Sequence, residues 1–142
     1  TEEEMVGGLE AYTPTNNRSQ WKRTAKNTLI VDCYNANLTS MKAALSSLES
    51  MNTSKALAIL GDMLELGDAS FDAHNEIIQL CERLKIPLVC IGKEFYSISS
   101  SVEKFQNTDA LIQSGRLEGI EGTTILLKGS RGIGLEKIIP FL

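Results

Sequence analysis

Four short apolar runs dominate the chain: TLIV at 28–31, ALAIL at 56–60, LVCI at 88–91 and TILL at 124–127. None alternates with polar residues. A strand with one wet face alternates, whereas a strand covered on both faces has no polar side to show. Continuous runs of four or five therefore predict a mostly parallel sheet sandwiched between helices.

The intervening segments carry helical spacing. Met41, Ala44, Leu45, Leu48 and Met51 fall on one helix face, with Thr39 or Ser40 as the expected N-cap. Ile77, Leu80, Cys81 and Leu84 repeat the spacing, and Asp68, Ser70 or Asp72 is the expected cap. Pro87 stands just ahead of the third run, where it removes no interior ladder bond. Leu135, Ile138, Ile139 and Leu142 predict a last helix, ended by Pro140. Between 93 and 122 the signal is weaker. The serines at 97–101 read as a loop, and 103–106 as a short edge strand. A short helix is expected to run to Gln113, capped by Asn107 or Thr108 and stopped by Gly115. Residues 18–23 read as a charged strand, pairing antiparallel with 28–31 across the link 24–27. The order β-α-β-α-β predicts an α/β fold.

At 142 residues the chain is the size of one domain and buries roughly two-thirds of its unfolded surface. A net charge of −4 argues against a nucleic-acid binder. The cysteines (Cys33, Cys81, Cys90) are odd in number and form no CxxC pair, which suits free thiols in a reducing compartment. With a single histidine, a Cys/His zinc site is not expected. No run approaches the length of a membrane span. The opening TEEEMVGG has neither the basic nor the apolar region of a signal peptide, and its lack of a starting Met hints at a piece of a longer protein.

Polar residues gather after each strand. DCYNAN follows the first run, GDMLELG the second, GK the third and KGSRG the fourth. In an open α/β sheet the ligand crevice lies outside the carboxyl ends of the strands. If these strands are parallel, the four loops share one edge. KGSRG brings backbone N–H groups, a hydroxyl and two cations together at the start of a predicted helix, a composition suited to an anion. No GxxxxGK[ST] or GxGxxG fingerprint is present. Each residue also has a plainer reading. Asp32 caps a turn, Tyr34 packs, and Asn35 and Asn37 form turns. Asp62 serves a turn, Glu65 is a solvated charge, His74 caps or faces water, and Arg131 is a solvated helix residue. Met63 and Leu64 belong to a core or an interface.

Taken together, DCYNANLTSM at 32–41, LGDMLELG at 60–67 with His74 beyond it, and LLKGSRGIGLEKI at 126–138 resemble the carboxyl-terminal domain of a Mur ligase. YTPTNNRSQ at 12–20 resembles the hinge that enters that domain. One departure is Leu38, where the family usually has proline, and it is expected to loosen the turn. The resemblance implies a three-layer Rossmann-like domain at 18–142, with a mixed sheet of about six strands and one antiparallel edge strand. Residues 1–17 are then hinge. It further implies one part of a cytoplasmic, three-domain, ATP-dependent ligase of peptidoglycan synthesis. The branch it resembles most joins D-alanyl-D-alanine to UDP-MurNAc-tripeptide through an acyl phosphate. ATP and Mg2+ are expected mainly on a central domain, and the UDP-sugar on an amino-terminal one. A piece of this kind is expected to be inactive alone. The resemblance implies nucleotide contacts from Arg18, Asp32, Tyr34, Asn35 and Asn37. It implies second-substrate contacts from Lys128, Ser130, Arg131 and, less firmly, His74. Two alternatives stay open: a folylpolyglutamate-synthase-like domain, and a non-catalytic α/β module that binds a small anion.

Overall fold

The computed structural model describes residues 20–33, 36–64 and 66–142. Six strands form one sheet: β1 (Gln20–Arg23), β2 (Thr28–Asp32), β3 (Ala56–Gly61), β4 (Leu88–Ile91), β5 (Glu103–Phe105) and β6 (Thr124–Lys128). Their order is β1-β2-β6-β3-β4-β5. β1 pairs antiparallel with β2, and every other pairing is parallel. All four apolar runs are strands, and the charged edge strand lies beside β2 as expected.

The period of two along each strand divides the core. Leu57 and Ile59 of β3 face one cluster with Leu29, Ile91, Ile125 and Leu127. Ala58 and Leu60 face the other with Ile30, Cys90 and Leu126. The second cluster is covered by α1 (Leu38–Ser50) and α2 (Ser70–Leu84), through Met41, Leu45, Leu48, Ile77, Ile78 and Cys81. The first is covered by α4 (Thr108–Ser114) and the chain end, through Leu111, Leu135, Ile138 and Leu142. Neither face of the four central strands is wet, so no polar residue needs to alternate within a run.

Three expectations need correction. The α1 cap is Asn37, not Thr39 or Ser40. Its Oδ1 accepts from Ser40 N at 2.8 Å, while Ser40 Oγ accepts from Asn37 N at 3.0 Å. This reciprocal pair satisfies two backbone donors at the helix start. Leu38 is thus the first helical residue, a position that favours proline but tolerates other residues. α2 has no side-chain cap, because the chain enters it from a 3-10 turn, Gly67–Ala69, with Ala69 already helical. The last apolar stripe is a 3-10 helix, Leu135–Phe141, with Pro140 inside it rather than ending it. A short helix α3 (Lys93–Tyr96) was not anticipated. α4 matches its expectation: Asn107 caps it and Gly115 closes it at φ 78°.

On the far edge of the sheet, buried Asn27 ties three segments together. Its Oδ1 accepts from Thr123 N at 3.1 Å, and its Nδ2 donates to Ile120 O at 2.9 Å and Leu142 O at 2.8 Å. Among the described residues no helix is long and apolar enough to cross a membrane.

Candidate functional site

Because β2, β3, β4 and β6 run parallel, their carboxyl ends open onto one edge, here called the rim. The register sets Asp32 beside Lys128, and Lys128 beside Leu60. Asp32, Asn37, Gly61, Asp62, Gly92, Lys93, Lys128, Ser130 and Arg131 all follow or end these strands. A concavity of about 350 Å³ lined by Lys26, Leu117, Glu118 and Phe141 lies at the opposite edge and contains none of the candidates.

Two residues expected to meet different substrates meet each other. Lys128 Nζ donates to Asp32 Oδ2 at 2.7 Å, with the residues 2 % and 7 % exposed. Adjacent parallel strands, each ending in one charge, make this pairing a consequence of register. The two charges thus form a cross-strand tether at the floor of the rim.

The GDMLELG and KGSRG loops are equally joined. Ser130 N donates to Asp62 O at 3.0 Å, and Ser130 Oγ accepts from Leu64 N at 2.9 Å. Their backbones touch: a Cβ on Gly129 would stand 2.8 Å from Gly61 Cα, and one on Gly61 would stand 2.9 Å from Ile133 Cγ2. Both positions therefore require glycine for close approach rather than for backbone conformation. Arg131 is exposed and opens the 3-10 turn Arg131–Ile133, so the anticipated helix entry is a single tight turn.

Asp62 is more than a turn residue. Its Oδ2 accepts from Glu94 N at 2.8 Å and its Oδ1 from Phe95 N at 3.0 Å, capping α3 from a different loop. Burial raises its carboxyl above the usual range, partly offset by these two N–H bonds and by His74. His74 is not at the surface. Its ring is fully buried, edge-on to Phe95 at a centroid distance of 4.6 Å. Nδ1 lies 2.7 Å from Ser70 O, an acceptor, so Nδ1 carries the proton; Nε2 then accepts from Met63 N at 2.9 Å. Ser70 Oγ also donates to Glu94. Both nitrogens of the His74 ring, expected to meet the second substrate, are engaged by backbone groups inside the fold.

Asn37 keeps its place beside the rim, but its Oδ1 serves the helix cap; the group left to offer a ligand is its Nδ2 amide. Arg18, Tyr34, Asn35 and Glu65 lie outside the described residues. Sequence reasoning missed the Asp62 cap, the Ser130–Leu64 bond and the Gly61–Gly129 contact. The one signal for them was a glycine after three of the four runs.

The three cysteines are free thiols. Burial, with the charges of Glu136 and Asp32, pushes Cys33 up to about 12, and burial pushes Cys81 to about 12 as well. At pH 8 a thiol of that kind is about 10³-fold less ionised than a free one. Native protein mixed with a chromogenic thiol reagent at pH 8 should therefore react slowly at Cys33, the half-buried thiol, and more slowly still at Cys81 and Cys90. All three should react promptly in urea. Fast stoichiometric labelling of Cys33 in the native state would contradict the buried environment.

A Rossmann-like sheet with one reversed edge strand, and a rim built from DCYNAN, GDMLELG and KGSRG, defines a class. Residues 17–131 match the family "Mur ligase, glutamate ligase domain", and the chain belongs to the Mur ligase family. Among curated relatives, the UDP-N-acetylmuramoyl-tripeptide–D-alanyl-D-alanine ligase of Bacillus subtilis is 34 % identical, over 99 % of this chain and 33 % of that protein. The enzyme of the same name from Treponema pallidum is 31 % identical, over 99 % of this chain and 32 % of its own length. The crystal structure of MurF from Acinetobacter baumannii superposes with a TM-score of 0.73 at 29 % identity, covering 97 % of this chain and 32 % of that one. The chain therefore spans about a third of the length of these relatives.

Proposed function

We propose that this chain is the carboxyl-terminal lid of a cytoplasmic, ATP-dependent ligase that joins D-alanyl-D-alanine to UDP-MurNAc-tripeptide in peptidoglycan precursor synthesis. Residues 1–17 are the hinge and 18–142 the lid. The reading rests on one observation above all: four polar strand ends of a Mur ligase domain share a single rim, two of them tied by the Asp32–Lys128 pair. The substrate assignment follows the curated relatives, whose names carry it.

In the proposed reaction the tripeptide carboxylate attacks the γ-phosphorus of ATP, ADP leaves, and an acyl phosphate forms. The dipeptide amine attacks the acyl carbon, and phosphate leaves as the tetrahedral intermediate collapses. Phosphoryl transfer needs positioning and charge neutralisation more than covalent help. Water would destroy the acyl phosphate, so a domain that closes over it serves the chemistry. Arg18, Asp32, Tyr34, Asn35 and the Asn37 amide contact the nucleotide. Lys128 steadies Asp32 and the KGSRG loop, Ser130 shapes that loop, and Arg131 takes the dipeptide carboxylate, for which a guanidinium is well matched. Among the described residues no group of three or more His, Cys, Asp or Glu side chains could hold a metal, and the proposal assigns Mg2+ no ligand there.

The test uses the full-length ligase that carries this domain. Arg131→Ala should cut kcat/KM for D-alanyl-D-alanine by about 10- to 100-fold, the loss of a charge-assisted contact, with the KM for ATP within about threefold. Unchanged kinetics for both would remove Arg131 from the site. An acceptor panel in which glutamate alone is used would replace this reading with the folylpolyglutamate one. Micromolar ATP binding by the isolated chain would favour a binding module over a lid.

A further inference from the structure

The rim residue that faces a substrate in the proposed reaction, Arg131, is linked to the interior by a short relay. His74 Nε2 accepts from Met63 N at 2.9 Å, and the next peptide, Leu64 N, donates to Ser130 Oγ at 2.9 Å. Ser130 immediately precedes Arg131, and Ser130 N returns to Asp62 O at 3.0 Å. The 62–64 segment is therefore held from below by an imidazole and from above by a hydroxyl. A Cβ on Gly132 would meet Leu64 Cδ1 at 3.3 Å, so the two loops are packed as well as bonded.

The imidazole is itself fixed. Nδ1–H donates to Ser70 O in the first turn of α2, and Phe95 of α3 stands against the ring edge. Asp62, whose Oδ1 lies 3.9 Å from Nε2, is locked by the N–H groups of Glu94 and Phe95. One ring thus joins the α2 start, the α3 start and the loop after β3. An unmade bond to the Met63 N–H would leave a buried donor without an acceptor, and a loop in that state shifts to find one.

We propose that His74 is a positioning residue. By accepting the Met63 N–H it sets the height of the 62–64 segment and, through Leu64 and Ser130, the position of Arg131 for the second substrate. Its place in the reaction is indirect, since the ring is fully buried. The inference rests on the reading that the 128–132 loop meets D-alanyl-D-alanine.

The experiment compares two substitutions in the full-length ligase. Glutamine carries an amide oxygen at the ε position and retains an acceptor for Met63 N–H; asparagine is one carbon shorter and does not reach. His74→Asn should raise the KM for D-alanyl-D-alanine at least fivefold, with kcat and the KM for ATP within twofold. His74→Gln should return the dipeptide KM to within twofold of wild type. A merely structural role would lower active enzyme, and so kcat, without moving one KM selectively. If His74→Asn does not fold, His74→Met, similar in volume but lacking a strong acceptor, takes its place. Equal effects on both KM values, no effect, failure of glutamine to restore, or failure of both non-accepting variants to fold would each overturn the inference. Wild-type enzyme that does not ligate the dipeptide would instead overturn the reading beneath it, so the two failures are distinguishable.

Discussion

Gly92→Ala is expected to destabilise the domain by about 4 kcal/mol or more, the largest loss at any glycine among the described residues. Gly92 sits at φ 126° and ψ 163°, a region that is essentially glycine-only and costs about 1–3 kcal/mol for other residues. The new Cβ would also stand 2.3–2.5 Å from the Asp62 carboxyl atoms. That carboxyl has no room to give way cheaply, because it holds Glu94 N and Phe95 N, and charged hydrogen bonds contribute about 1.5–3 kcal/mol each. Against a total stability of roughly 5–15 kcal/mol, the variant should be marginal or unfolded at 37 °C. Gly115→Ala is the control. It too has positive φ, 78°, but nothing lies within 4 Å of its Cβ, so it should cost only about 1–2 kcal/mol. Urea midpoints of the two variants decide the matter: equal losses would mean that Asp62 does not occupy the position described.

Lys128→Met should cost about 3–5 kcal/mol, the range for removing one partner of a buried ion pair. The substitution keeps the apolar stem but takes the ammonium from a carboxylate that is 7 % exposed. Adding Asp32→Asn should recover much of the stability, because the buried charge is then gone as well. It should not recover ligation, since the proposal gives Asp32 a nucleotide contact. The exposed pair Arg116–Glu103 offers a contrast: Nε lies 2.7 Å from Oε2, yet Arg116→Ala should cost under about 1 kcal/mol. A double variant no more stable than Lys128→Met would mean that the loss comes from packing rather than from the broken ion pair.

Strands were readable because burial on both faces writes itself into composition: a run such as ALAIL needs no knowledge of its neighbours. α4 was readable because Asn107 and Gly115 mark its ends by local chemistry. The final stripe was misread because Leu135 and Ile138, three residues apart, fit a 3-10 helix as well as an α-helix. Spacing alone cannot separate the two, and Pro140 is compatible with the tighter form. Asn37 was overlooked as a cap because it was weighed as a ligand group, although one asparagine does both jobs with different atoms. His74 was placed at the surface because its surroundings come from two other segments. Met63, Phe95 and Asp62 are distant in sequence, and no window around residue 74 contains Phe95 or Asp62. The rim itself was legible, since parallel strands must end on one side. The bonds that join its loops were not, because they run between backbone groups whose partners tertiary structure selects.

The sheet is open, and both outermost strands bear on how the protein behaves at high concentration. β1 is four residues long and exposes Lys22 and Arg23, with Trp21 its one apolar side chain; β5 has three residues, with Lys104 donating to Ser100 O at 3.2 Å. A foreign strand adding to either margin would have to desolvate a cation for a ladder of very few bonds. These margins therefore discourage templated polymerisation, which the repeated swinging of the proposed lid would otherwise invite.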